Sequence, residues 1–284
     1  MRRRLLSLVT WWVHIPKPIK WLVYCCLPAG IAMAGLGIYG DEHGWWNDRG
    51  FLTNLLSSFT GLLIGVPFAL VVLSHLGGLQ ADAANYRAAV KSGRNAAIDF
   101  EGRHRSGFVR YDLHHAESDL IRLRTANAKY RQAVETWVRD PSPTRSGDVC
   151  AAFERRRELI RTTFTHHRPI HPWLTMISES WHRLDMEVRP RLLDVEANWM
   201  PRGSHVALRS AVRTLDGARS RRLMGDHGPS LRHLGRHSQG EAVESAVLEN
   251  AIDHLRDDAE AAHEVIIALL AICKELPALN NVGV

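Results

Sequence analysis

Apolar residues follow two different regimes along this chain. In the first they run without interruption. Trp21 to Gly40 carries no charge and is bounded by Lys20 and Asp41, and a second uncharged run extends from Gly50 to Ala81 with its apolar centre at Leu55 to Leu76. About 20 apolar residues rising about 1.5 Å each match a hydrocarbon core of roughly 30 Å. The two runs therefore predict transmembrane helices over 21–40 and 53–78, joined by a short external loop over 41–52. Pro67 predicts a kink in the second helix. His75 marks its inner exit, and Gly77 with Gly78 offer a hinge there.

In the second regime apolar positions recur three and four apart, the period of an amphipathic helix. Leu113, Ala116, Leu120, Leu123, Asn127, Tyr130, Val134 and Trp137 form such a seam. Sustained heptad spacing also suits a coiled coil, where Asn127 would fix register at a cost in stability. Packing within its own chain is the expectation, because further amphipathic helices are available to cover the seam. Asp140-Pro141-Ser142-Pro143 ends this helix. A second helix is predicted from about Asp148 to Thr165, with Val149, Phe153, Arg156 and Ile160 on one side. A third carries Trp173, Met176, Ile177, Trp181, Leu184 and Val188 and breaks or kinks near Pro190. Another begins after Pro201 or Ser204. Residues 217–240 hold five glycines and Pro229 and read as loop. Ser238 and Glu241 have capping-box spacing and predict the start of a long last helix reaching Glu275. The fold class expected is all-α: a two-helix transmembrane hairpin after a basic segment 1–20, then a cytosolic multi-helix bundle over 79–284 with a long C-terminal helix.

Charge orients this arrangement. Arg2, Arg3, Arg4, Lys17 and Lys20 precede the first run, and Arg87, Lys91, Arg94, Arg103 and Arg105 follow the second. The connecting loop holds Asp41, Glu42 and Asp48 against Arg49 alone. Basic flanks stay on the cytosolic side, so both termini are expected inside a multi-pass protein of the cell membrane. Trp11, Trp12, Trp21 and Tyr24 at one boundary, with Tyr39, Trp45 and Trp46 at the other, suit interfacial aromatic belts. A signal peptide cleaved near Ala32-Met33-Ala34 is the rival, but the apolar run continues past that site to Tyr39. Farther on, residues 81–236 hold 28 basic and 18 acidic side chains, whereas residues 237–284 hold 2 and 9. Opposite fields favour docking of the last helix onto the middle ones. The basic middle also suits anionic headgroups. Nucleic acid is not an expected partner, since no recognition motif accompanies the charge.

Candidate chemistry is sparse. Cys25, Cys26, Cys150 and Cys273 make no Cys-x-x-Cys and no disulfide framework. Gly35-Leu36-Gly37-Ile38-Tyr39-Gly40 matches a dinucleotide fingerprint in letters only, because it closes an apolar helix rather than following a strand. His166, His167 and His171 cluster without carboxylates, and His263-Glu264 lacks the second histidine of a zinc-protease helix. No metal or cofactor is expected. Arg219, Arg221, Arg222, Arg232 and Arg236, with His227, His233 and His237 among them, form a basic loop suited to phosphate or lipid headgroups. In the second span Ser57, Gly61, Gly65 and Ala69 place small residues every four positions, and Gly30 and Ala34 offer a counterpart in the first. Such stripes let helix backbones approach closely in lipid, within a hairpin or between copies.

These features lead to a membrane-anchored helical interaction, scaffold or sensor protein, whose partners are the bilayer, a cytosolic protein and a second copy of itself. An oligomeric two-span effector or channel is the first alternative. An enzyme acting on a lipid or phosphorylated substrate through the basic loop is the second.

Overall fold

The computed structural model describes residues 17–45, 50–110, 112–165, 170–217 and 227–283. All regular structure among them is helical, apart from an isolated antiparallel bridge between Phe108 and Phe164. By its contacts the chain divides into two units, Met1–Asn85 and Tyr86–Val284.

The N-terminal unit holds α1 (Lys17–Glu42) and the first part of α2 (Gly50–Ser106). Both helices are long and apolar enough to cross a membrane. The α2 helix continues without interruption through Pro67 and through Gly77-Gly78, the residues read as kink and hinge. The two helices touch at Gly30, where an added Cβ would lie 2.7 Å from a carbon of Ile64, and at Gly37, beside Leu56. Two glycines of α1 thus lie at contacts within this unit. The stripe of α2 takes a different direction: Ser57, Gly61, Gly65 and Ala69 are all exposed, and nothing lies within 4 Å of a Cβ built on Gly61 or Gly65. Ala34 is half-buried.

The C-terminal unit contains the end of α2, then α3 (Leu113–Arg139), α4 (Pro143–Thr163), α5 (His171–His182), a π-helical turn (Arg183–Val188), α6 (Arg189–Asp194), α7 (Arg202–Asp216), α8 (Gly228–Ser238), α9 (Ser245–Glu275) and a 3-10 turn (Leu276–Asn281). The seam of α3 faces inward, with Ala116, Leu120, Leu123, Asn127, Tyr130, Val134 and Trp137 buried and Leu113 half-buried. It packs against α4 and α9 of the same chain. The cap signals explain the boundaries of α4: Ser142 accepts from the amide of Arg145, and Pro143 takes the first position, where no amide is needed. This helix therefore starts five residues earlier than its apolar pattern indicates.

Two expectations are corrected. Residues 228–238, read as loop, form α8. Pro229 sits in the first turn, where its missing amide costs nothing, and the helix is held by the buried Leu234 and half-buried Leu231. The last helix starts at Ser245, not Ser238. The Ser238 hydroxyl donates back to the carbonyl of Gly235, which closes α8, so Ser238 and Glu241 make no capping box.

Two apolar clusters fill the unit. The larger joins the end of α2 with α3, α5, α6, α7 and the later half of α9, around Phe100, Leu120, Trp173, Leu184, Leu208 and Leu269. The smaller joins α3, α4 and α8 with the earlier half of α9, around Tyr130, Trp137, Phe153, Leu234 and Leu255. Gly107 lies directly against the Trp173 ring, where no Cβ would fit, and the indole N–H donates to the carbonyl of Arg103 at 2.8 Å. Beside it the ends of α2 and α4 are tied by two backbone bonds, Val109 to Thr163 and Thr165 to Gly107.

Candidate functional site

Three of the buried polar constellations among the described residues of this unit differ in what they can do. The first begins with Arg156, which shares the inner face of α4 with Val149, Phe153 and Ile160. A buried guanidinium needs an anion and hydrogen bonds. It pairs with Asp258 of α9 and donates to the Asn127 side-chain oxygen at 3.1 Å, while Tyr130 and Phe153 stack on its faces at 4.4 and 5.1 Å. Asn127 in turn donates to the carbonyl of Ala259, and Tyr130 to that of Leu255. His227, at the head of α8, approaches the other Asp258 oxygen at 3.1 Å. Burial works against the Asp258 charge, but His227 and Arg156 outweigh it and hold the carboxyl below the usual carboxylate range. Each member contacts another member or the backbone, although the Arg156 Nε is buried without a hydrogen-bond partner, and the arrangement suits fixing the register of α3, α4 and α9.

The second is His104 of α2 beside Cys273 of α9, with 3.8 Å between Nε2 and Sγ. The residue types are those of a thiol nucleophile and its base. Their surroundings are the opposite of what that chemistry requires. Burial lowers His104 to about 3, helped by the charge of Arg105, and burial raises Cys273 to about 12. Both groups are neutral and enclosed, and they behave as core residues.

The third opens to solvent. The π turn displaces Asp185 from regular helical register and aims it at α7. There His205 Nε2 lies 2.7 Å from its Oδ1, Arg189 donates to the same oxygen at 3.2 Å, and Arg209 Nε stands 3.8 Å from Oδ2. Burial opposes the charge of Asp185, but His205 and then Arg189 outweigh it and lower its carboxyl. The rings of Trp181 and Trp199 flank the imidazole. A cleft of about 630 Å³ between α5 and α7 adjoins this pair, lined by Ser178, Glu179, His182, Arg209, Arg213 and Asp216 among others. The Ser178 hydroxyl is buried there without a hydrogen-bond partner. A carboxylate-oriented imidazole, a spare hydroxyl and arginines on one wall can recognise a small polar ligand. π turns interrupt helices at functional sites often enough to make this cleft the leading candidate.

No family model, curated protein or solved structure matches the chain. The site is therefore read from its own geometry. Sequence reasoning missed it, since Asp185 and His205 are 20 residues apart and neither lies in a recognisable motif. For Arg156 and Asp258 a signal existed: each interrupts the apolar stripe of its own helix, and a charge in such a stripe needs a counter-charge. Of the arginines of the predicted basic loop only Arg232 and Arg236 lie among the described residues. Arg219, Arg221 and Arg222 lie outside the described residues, as do His166 and His167. Arg232 is exposed on α8, and Arg236 pairs with Glu241 at 2.6 Å. Among the described residues no group of histidine, cysteine and carboxylate side chains is arranged to hold a metal.

Proposed function

We propose that this chain is a membrane-anchored helical interaction and sensor protein, with two spans and a cytosolic bundle that reads a ligand or partner. One observation carries the membrane half. Within the most apolar stretches of α1 and α2 only 6% and 11% of residues are buried, which supports lipid-facing spans over core helices of a soluble fold. Phe51, Phe68 and Trp21 are 78%, 70% and 69% exposed, and lipid is the environment in which such surfaces are stable. The basic flanks and acidic loop support cytosolic termini. The cleft beside Asp185 and His205 supports the sensor half, because it is the one buried polar constellation described above that opens to solvent.

Alkaline extraction with a reporter fused after Val284 tests the anchoring. The chain should stay with the membrane and the reporter should be reachable only from the cytosolic side. Release into the supernatant, or a reporter accessible from outside, overturns the reading. Association between copies is a second reading, favoured by the uncovered Ser57, Gly61, Gly65 and Ala69 face. Cross-linking in native membranes should then give a dimer or larger species that Gly61→Leu with Gly65→Leu abolishes. A strictly monomeric protein would exclude it.

A further inference from the structure

Where α2 joins the bundle it is two-faced. Ala89, Gly93, Ala97 and Phe100 are buried, and Gly93 is pressed so close to Leu192 of α6 that an added Cβ would lie 2.9 Å away. The opposite face carries Arg87, Lys91 and Arg94, all exposed and spaced four and three apart. Among the described residues none of these three side chains has an ion pair or hydrogen bond, whereas farther along the same helix Arg103 pairs with Asp99 and Arg105 with Glu101. No acidic residue occurs between Asp82 and Asp99, so nothing in that stretch of helix neutralises them. The packed element α6 carries Arg189 and Arg191 and a single acid, Asp194, at its end.

We propose that this face binds the anionic phosphate headgroups of the bilayer that holds the spans. The inference rests on the membrane reading above. The uncharged run Gly50–Ala81 is about 47 Å long as a helix, close to the roughly 40–45 Å of a bilayer with its headgroups. Arg87 comes six residues later, about 9 Å along the axis, within a Debye length of the lipid surface. Lys91 and Arg94 follow at about 15 and 20 Å along the axis, so Arg87 makes the leading contact and the other two add a weaker, screened attraction. Tyr86, 43% exposed at the start of the patch, is an amphipathic side chain suited to the interface. Arginine meets lipid phosphates through bidentate bonds and lysine as a point charge. The spans bring these cations to the surface without further entropic cost, so the affinity appears as a preference for one lipid over another.

The test uses the full chain reconstituted in phosphatidylcholine vesicles with and without phosphatidylglycerol. Brominated forms of each lipid, which quench tryptophan fluorescence, report relative lipid affinity. The wild-type chain should prefer phosphatidylglycerol, and added salt should weaken the preference. Neutralising the patch with Arg87→Gln, Lys91→Gln and Arg94→Gln should reduce the preference by about fivefold or more, since each basic residue near an anionic surface contributes roughly that factor. The charge-matched set Arg124→Gln, Lys129→Gln and Arg155→Gln should leave it in place. Equal affinity for the two lipids in the wild type, or a preference as strong in the patch variant as in the wild type, overturns the proposal. Flotation after an alkaline wash separates the two ideas: a chain that floats but does not discriminate refutes this inference alone, and one that leaves both kinds of vesicle refutes the anchoring as well.

Discussion

Individual residues in the bundle are held by requirements that can be tested singly. Arg156 and Asp258 are each 1% exposed and satisfy one another. Removing one partner leaves a buried charge uncompensated, so Arg156→Met should destabilise the bundle by about 3–5 kcal/mol. The double variant Arg156→Met with Asp258→Leu should recover most of that loss, because an apolar pair needs no counter-charge. Denaturant unfolding of the four chains of this cycle measures it. His104 gives a pH dependence of fixed sign. Its folded value, about 3, lies below its ordinary 6.5, so the unfolded chain takes up a proton that the folded one refuses. Its contribution is complete above pH 6.5 and is lost as pH falls from there towards 3. The slope should reach about 1.4 kcal/mol per pH unit. Unfolding midpoints across that interval should show this slope in the wild type and a shallower one in His104→Leu, whose side chain suits neighbours such as Phe108 and Trp173.

At the scale of elements, the sequence is legible wherever one helical period runs long enough. The seam of α3, from Ala116 to Trp137, is its buried face position by position. The apolar stripe of α9 is equally plain, although its start is not. The stretch 239–244 is not helical, and Glu244 is the N-cap without a side-chain capping bond. The α8 helix was hidden for another reason. Gly228, Pro229 and Gly235 read as breakers, but Pro229 falls in the first turn, and tertiary contact of Leu234 outweighs propensity over so short a helix. The π turn leaves no local signature. It requires one residue more than an α-helical turn, and that residue is visible only through the partner it positions. Deleting Met186 would let the helix return to i→i−4 bonding and turn the residues on its two sides by about 100° relative to each other. Backbone regularity would improve, yet Asp185 would lose its alignment with His205 and α7. The deletion variant should therefore be less stable than the parent by about 1–3 kcal/mol, as thermal unfolding would show. A variant at least as stable as the parent would mean that the turn contributes nothing to the fold.

Across the whole molecule, the two uncharged runs are the most readable features, since both become helices long and apolar enough to cross a membrane. The cleft was unreadable because its walls come from α5 and α7, brought together only by packing. One consequence concerns synthesis. Both core clusters draw on α9: Leu248, Ile252 and Leu255 complete one, and Val265, Leu269 and Ile272 the other. The α3, α7 and α8 helices that pack on it thus leave the ribosome before the surface they need exists. A chain stopped at Glu244 should accumulate as a protease-sensitive species without a cooperative melt, which limited proteolysis would reveal. In the intact chain these helices wait with their apolar faces open until α9 is translated. That interval makes the chain a natural client for chaperones, and substitutions that slow elongation late in the message should lower its yield even when the encoded protein is unchanged.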